Sequence, residues 1–355
     1  MPFFGFTPRL PRASLAALLL LALVSGPSAG NLCAAGAGNV RQSVARAPAT
    51  VKLRGISYTD ARAPFVQFGY KAGYQAASGV LTLRSGASEV VLTVGSREAK
   101  LNGLRLFLGE PVEVYKGTPV VTTIDLERFL LPIVRPSRLG RKAVRTIVID
   151  AGHGGNDSGT RHIKRKLNEK TFTLDVAKRL QAMLAGGPWK VRMTRTDDRF
   201  IELSDRAEFA NNAKADLFIS IHFNAVAAGS DVRGTETYVL TPQFQRSTSS
   251  AKAGPEDKVA YPGNRHDARS AILGYHMHRQ LLAKLKSEDR GYKRARFAVL
   301  RLVDSPGVLV EAGYLSNDTE AAKIANAGYR GDIAEALFAA IQAYDASVGA
   351  PTKAP

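Results

Sequence analysis

Three short apolar runs in this chain each end on a residue able to bind a metal or carry a proton, and this arrangement restricts the fold most. Ile147-Val148-Ile149-Asp150 leads into Gly152-His153-Gly154-Gly155, Leu217-Phe218-Ile219-Ser220-Ile221 into His222, and Val308-Leu309-Val310 into Glu311. Apolar runs without a polar alternate are typical of strands covered on both faces, as in parallel sheets. Helical patterns lie between and around them, over 168–184, 203–212, 268–285 and 332–344, with further strands over 190–195 and 234–240. Strands alternating with helices predict an α/β domain over 144–346, with a twisted, mainly parallel sheet flanked by helices. Sites in such sheets lie at the carboxyl ends of the strands, so His153, His222 and Glu311 should converge on one edge.

Upstream the pattern changes. Residues 51–134 show short alternating stretches punctuated by Ser85-Gly86 and Asn102-Gly103, which predicts strands and hairpins in a small β-rich accessory domain closed by a short helix over 123–131. Pro136, Ser137 and Gly140 among basic residues mark a linker over 135–143. Arg9 and Arg12, a leucine-rich run from Leu15 to Val24 and the small residues Ser25 to Gly30 predict an export signal over 1–30, too short to span a bilayer. A flexible Ala/Gly-rich lead-in over 31–50 and a tail over 347–355 complete the chain. The single cysteine, Cys33, excludes an internal disulfide framework, so an exported protein of this kind relies on its core or on a metal.

Glu169 joins the candidates because Asn168 reads as the N-cap of a helix whose apolar face is Phe172, Val176, Leu180, Met183 and Leu184. A first-turn glutamate also simply complements the helix dipole, and both readings stand on position alone. Two imidazoles and a carboxylate form the ligand set of several catalytic zinc sites, with a fourth position left for water. A second carboxylate can then serve as general base, a role that suits Glu311. The same ligands also suit manganese or iron. The Gly152–Gly155 turn competes as a phosphate cradle, although no lysine or serine follows at the required spacing. His276 and His278, two apart on a helix, read as surface or packing residues, whereas His162 lies in a basic loop near the site.

Four motifs taken together resemble the zinc-dependent N-acetylmuramoyl-L-alanine amidase family: Ile149-Asp150-Ala151-Gly152-His153-Gly154-Gly155, Asn168-Glu169-Lys170, Ser220-Ile221-His222-Phe223-Asn224-Ala225 and Leu309-Val310-Glu311-Ala312-Gly313-Tyr314-Leu315-Ser316-Asn317. The resemblance implies Zn2+ held by His153, Glu169 and His222, Glu311 as the catalytic carboxylate, and the muramic acid to L-alanine amide of peptidoglycan as substrate. Family-like pieces around Arg233-Gly234-Thr235-Glu236 and Arg294-Ala295-Arg296-Phe297 make Asn224, Arg233, Glu236 and Arg296 candidate substrate contacts or supports. The run from Leu81 through Val94-Gly95-Ser96 and Leu101-Asn102-Gly103 to Pro111 and Val120 resembles the copper amine oxidase-like N-terminal domain, without catalytic residues.

A formal charge of +18 favours anionic partners. The basic residues are scattered and no nucleic-acid motif is present, so the expected partners are peptidoglycan and a protein activator, with no nucleic acid and no stable membrane insertion. A periplasmic or extracellular, wall-associated location follows from the signal. The polar segment from Thr241 to Gly263 reads as a flexible lid. Two rivals remain at this stage: a wall-binding protein without catalysis, and a zinc peptidase that trims stem peptides.

Overall fold

The computed structural model describes residues 50–226 and 231–349; the export signal, Cys33, the lead-in up to residue 49 and residues 350–355 lie outside them. At one end of an eleven-stranded sheet the strands Lys190–Met193, Thr146–Ala151, Leu217–Asn224 and Gly307–Tyr314 lie side by side and parallel. The apolar runs within Thr146–Ala151, Leu217–Asn224 and Gly307–Tyr314 are near-continuous because both faces are covered, whereas the edge strand Lys190–Met193 leaves Lys190 and Arg192 exposed. Ile147, Ile149, Ile219, Ile221, Val308 and Val310 face the helices Glu169–Leu184, Asp267–Leu285 and Ala327–Gly349, while Val148, Phe218 and Leu309 face Leu203–Asn212 and Ala298–Leu302. All but Leu309 are fully shielded from solvent. Each such side chain contributes about 1.5–3 kcal/mol by burial.

The sheet is longer and more mixed than the sequence pattern predicts. Thr235–Leu240 runs antiparallel to Gly307–Tyr314, and Asp289–Ala295 adds a further strand beside it. Asp289–Ala295 shows no apolar alternation because its inward groups include Arg294, which is neutralised rather than apolar. Beyond it, Tyr292 pairs with Leu106, and the antiparallel strands Leu104–Phe107, Glu98–Leu101, Ser88–Thr93, Val80–Ser85 and Lys71–Gln75 continue the same sheet. A second, four-stranded sheet holds Thr50–Leu53, Ile56–Asp60, Thr118–Thr122 and Glu113–Tyr115. The change of sequence pattern near residues 135–143 therefore coincides with no break in the core: Leu81, Leu92 and Leu106 belong to the same buried cluster as Ile149 and Leu273.

Buried charge ties the N-terminal strands to the rest. Asp125, at the start of the helical stretch that runs to Val134, accepts from Arg294 Nη2 at 2.6 Å, from Thr122 Oγ1 at 2.7 Å and from the amide of Gly109 at 3.0 Å. Arg294 also donates to Gln245 Oε1 at 2.7 Å, and Gln245 donates to Thr122 at 2.7 Å. Arg97 donates to the carbonyls of Ser247 at 3.0 Å and Ser250 at 3.1 Å, and Arg246 pairs with Glu110 at 2.9 Å. The segment from Thr241 to Gly263, read from its polarity as a flexible lid, is thus anchored along its first ten residues; its polar side chains are its fastenings.

Replacing Asp125 with alanine would leave the Arg294 guanidinium buried without a counter-charge. Denaturant unfolding of Asp125→Ala should show a loss of about 3–5 kcal/mol. A loss below about 1 kcal/mol would contradict this role for the pair.

Candidate metal centre

The turn after Thr146–Ala151 is shaped from beneath by two buried arginines. Arg206 donates to the carbonyls of Ala151 at 2.8 Å and His153 at 2.9 Å, and Arg195 to those of Ala151 at 2.9 Å and Gly152 at 2.8 Å. The Arg206 charge is matched by Asp150 at 2.8 Å, which also accepts from Thr194 at 2.7 Å and Ser220 at 2.8 Å. Burial opposes ionisation of Asp150, but Arg206 and these donors outweigh it and hold its pKa below the usual carboxylate range. His153 lies above them at φ +63°, in the left-handed region that few non-glycine residues enter. Gly152 is required beside it, since a Cβ there would lie 2.2 Å from His222 Cε1.

Glu169 opens the helix Glu169–Leu184 and is almost fully buried. Asn168 occupies the N-cap position as expected, but its side chain makes no cap bond; the first amides donate instead to Thr160 O at 2.9 Å and Ser158 O at 3.2 Å. Glu169 Oε2 accepts from the Thr160 amide at 2.8 Å, and Oε1 accepts from the Phe223 amide at 3.0 Å. Oε1 also lies 3.2 Å from His153 Nε2 and 3.0 Å from His222 Nδ1. Burial works against the charge, yet the bonds to His153 and His222 hold Glu169 well below the ordinary carboxylate pKa. Asp157 Oδ2 lies 2.7 Å from His153 Nδ1 and turns Nε2 toward Glu169. Burial lowers the His153 pKa, but Glu169 and Asp157 together raise it.

These donors fit a zinc ion. Metal–ligand bonds of about 2.0–2.1 Å in a tetrahedron place donor atoms about 3.3 Å apart, close to the 3.2 and 3.0 Å that separate Glu169 Oε1 from His153 Nε2 and His222 Nδ1. Among the described residues, His153, Glu169 and His222 form the one group of this kind. They line a cavity of about 640 Å³ together with Glu311.

Glu311 sits directly across from His222 in the strand register and is flanked on its other side by Glu236. Among the described residues, its Oε2 has no hydrogen-bond partner. Burial first, then Glu169 and Glu236, push its pKa well above the usual carboxylate value. Two carboxylates with pKa values driven in opposite directions at one site suit one for ligation and the other for proton transfer.

The remaining candidates divide. Asn224 lines the cavity and donates to Glu236 at 2.9 Å. Glu236 lies behind it, buried, and accepts from Tyr238 at 2.6 Å, Tyr314 at 2.8 Å and Lys293. Arg233 and Arg296 do not line the cavity. Arg233 faces Glu288 on the surface, and Arg296 is drawn off by Asp257 at 2.7 Å and Gln245 O at 2.6 Å. His162 is buried and bonded to Asp318 at 2.8 Å, away from the metal group. His278 is a packing residue held by Thr237 and Asp289. Asp157, Arg195 and Arg206 escaped the sequence reading. Asp157, four residues after His153, carried a usable signal; the arginines looked like solvated surface.

The Asp150–Arg206 pair yields a prediction with a definite pH sign. A folded-state pKa below the unfolded value of about 3.9 gives stability that is complete above about pH 4 and drains away as pH falls through the folded value. Asp150→Asn should therefore cost about 3–5 kcal/mol in urea unfolding at pH 7, with the gap to wild type narrowing by pH 3. A gap that widens on acidification would contradict the pairing.

Comparison with known proteins places this geometry. Residues 147–343 match the family model described as N-acetylmuramoyl-L-alanine amidase, and residues 39–130 match the copper amine oxidase N-terminal domain. An endolysin of Bacillus phage SPP1 is 35% identical over 192 residues, 54% of this chain and 62% of that protein. The N-acetylmuramoyl-L-alanine amidase LytC of Bacillus subtilis (strain 168) is 34% identical over 222 residues, 62% of this chain and 38% of its own length. The chain thus spans less than two thirds of these relatives. The solved catalytic domain of CwlV, an N-acetylmuramoyl-L-alanine amidase from Bacillus (Paenibacillus) polymyxa var. colistinus, shares 34% identity, covering 56% of this chain and 97% of that one, with a TM-score of 0.48. With more than half of its length matched by the family model, this chain belongs to the N-acetylmuramoyl-L-alanine amidase family.

Proposed function

We propose that this protein hydrolyses the amide bond between N-acetylmuramic acid and L-alanine in bacterial peptidoglycan, in the periplasm or outside the cell, using a zinc ion held by His153, Glu169 and His222. The observation that carries the reading is the meeting of these three side chains with the unpaired Glu311 in one cleft of a chain of this family. A zinc ion in that position supplies Lewis acidity, polarising the scissile carbonyl and lowering the pKa of a water to about 7.

The chain's own groups then have definite tasks. His153 and His222 present Nε2 and Nδ1 toward Glu169, and Asp157 keeps the His153 ring in the required tautomer. Glu311 accepts the proton of the attacking water and returns it to the departing L-alanine nitrogen, which completes cleavage of the C–N bond. Burial and the neighbouring carboxylates Glu169 and Glu236 raise its affinity for a proton, and among the described residues no arginine or lysine pairs with its carboxylate.

Incubation with intact peptidoglycan should release stem peptides with a free L-alanine amine, identified by mass, with activity lost to a chelator and restored by zinc. Shortened peptides still joined to muramic acid would replace this reading with that of a peptidase. Glu311→Gln should lower kcat by about 10²–10⁴-fold while the metal content stays at wild-type level. Asp157→Asn should weaken zinc binding by about 10–100-fold in competition with a chelator; unchanged affinity would remove Asp157 from the site.

A further inference from the structure

The surroundings of the metal group are of opposite character on its two sides. On one side the wall is apolar. Phe200 is 43% exposed, Leu203 55% and Phe297 39%, and all three line the metal cavity. Phe200 is placed there by the metal turn itself: a Cβ on Gly155 would lie 2.6 Å from the Phe200 amide nitrogen, so the Phe200 backbone rests on that glycine. Phe297 is backed edge-to-face by Tyr238, with ring centroids 5.1 Å apart. Large apolar side chains left exposed together at the rim of a cleft that holds convergent polar groups mark a ligand surface.

On the other side lies a second cavity of about 500 Å³. Thr160 and Ala225 line both cavities, and the Thr160 amide holds Glu169, so the two spaces meet beside the metal group. Arg161 is exposed on the wall of this second cavity, and its guanidinium has no partner among the described residues. Neighbouring Lys164 and His162 share Asp318 at 3.5 Å and 2.8 Å, whereas Arg161 pairs with no carboxylate among the described residues. Asp231, also on the wall, offers a counter-charge for an amine.

We propose that the substrate crosses the metal group in one direction, with its sugars against Phe200 and Phe297 and its stem peptide extending into the cavity lined by Arg161. This rests on the amidase reading and deepens it. The two halves of the substrate match the two walls. N-acetylated sugar rings are uncharged and present C–H faces that pack on aromatic rings. The stem peptide carries free carboxylates, which a guanidinium grips with two parallel hydrogen bonds.

The test compares kcat/KM on three substrates: a disaccharide-peptide, the same peptide capped by lactate without sugars, and the disaccharide bearing only L-alanine methylamide. Phe200→Ala should lose about tenfold more on substrates with sugars than on the lactyl peptide. Arg161→Ala should lose about tenfold more on substrates with the full stem than on the methylamide. Both side chains are exposed, and each ratio is taken within one variant, so a folding defect would cancel. Equal losses on all substrates, or the reversed pattern, overturn the orientation. A wild-type chain that cleaves none of the three defeats the amidase reading itself and the orientation with it.

Discussion

The candidate centre rests on Arg206, a full positive charge buried beneath a turn of main-chain carbonyls and neutralised by Asp150. With its charge matched, the guanidinium becomes a rigid fork that sets the carbonyls of Ala151 and His153, and Arg195 does the same for Ala151 and Gly152. Held in that way, His153 keeps a left-handed backbone and points Nε2 toward the carboxylate shared with His222. This support fixes the backbone from which His153 projects, and Asp157 and Glu169 then set the aim of its ring.

Much of this was legible in the sequence because it follows from strand direction. Apolar runs ending at His153, His222 and Glu311 pointed to a parallel arrangement, and parallel strands bring their carboxyl ends together. Glu169 was legible only by its place at a helix start joined to the family resemblance. The supporting residues were hidden for a physical reason: Arg195 and Arg206 lie in charged stretches that look solvated, and only the folded turn shows that carbonyl oxygens replace their water. Asn224 lines the cavity, while Arg233 and Arg296 are engaged by Glu288 and Asp257.

The same limit explains the accessory strands. A shift from short alternating strands to apolar runs reads as a boundary, yet Leu104–Phe107 pairs with Asp289–Ala295 and the sheet continues. The joint depends on Arg294 meeting Asp125 and on Arg97 meeting carbonyls of the Thr241 to Gly263 segment, contacts between residues more than a hundred positions apart. Long-range charge pairing of this kind leaves no periodic trace. Its effect is to hold a polar segment against the sheet.

The most direct measurement is an anomalous difference map collected at the zinc absorption edge from crystals of the purified protein. A single strong peak about 2.0–2.1 Å from His153 Nε2, His222 Nδ1 and a carboxylate oxygen of Glu169, with Glu311 beyond bonding distance of the metal, is the predicted result. A peak coordinated by other residues, or no peak after zinc loading, would contradict it.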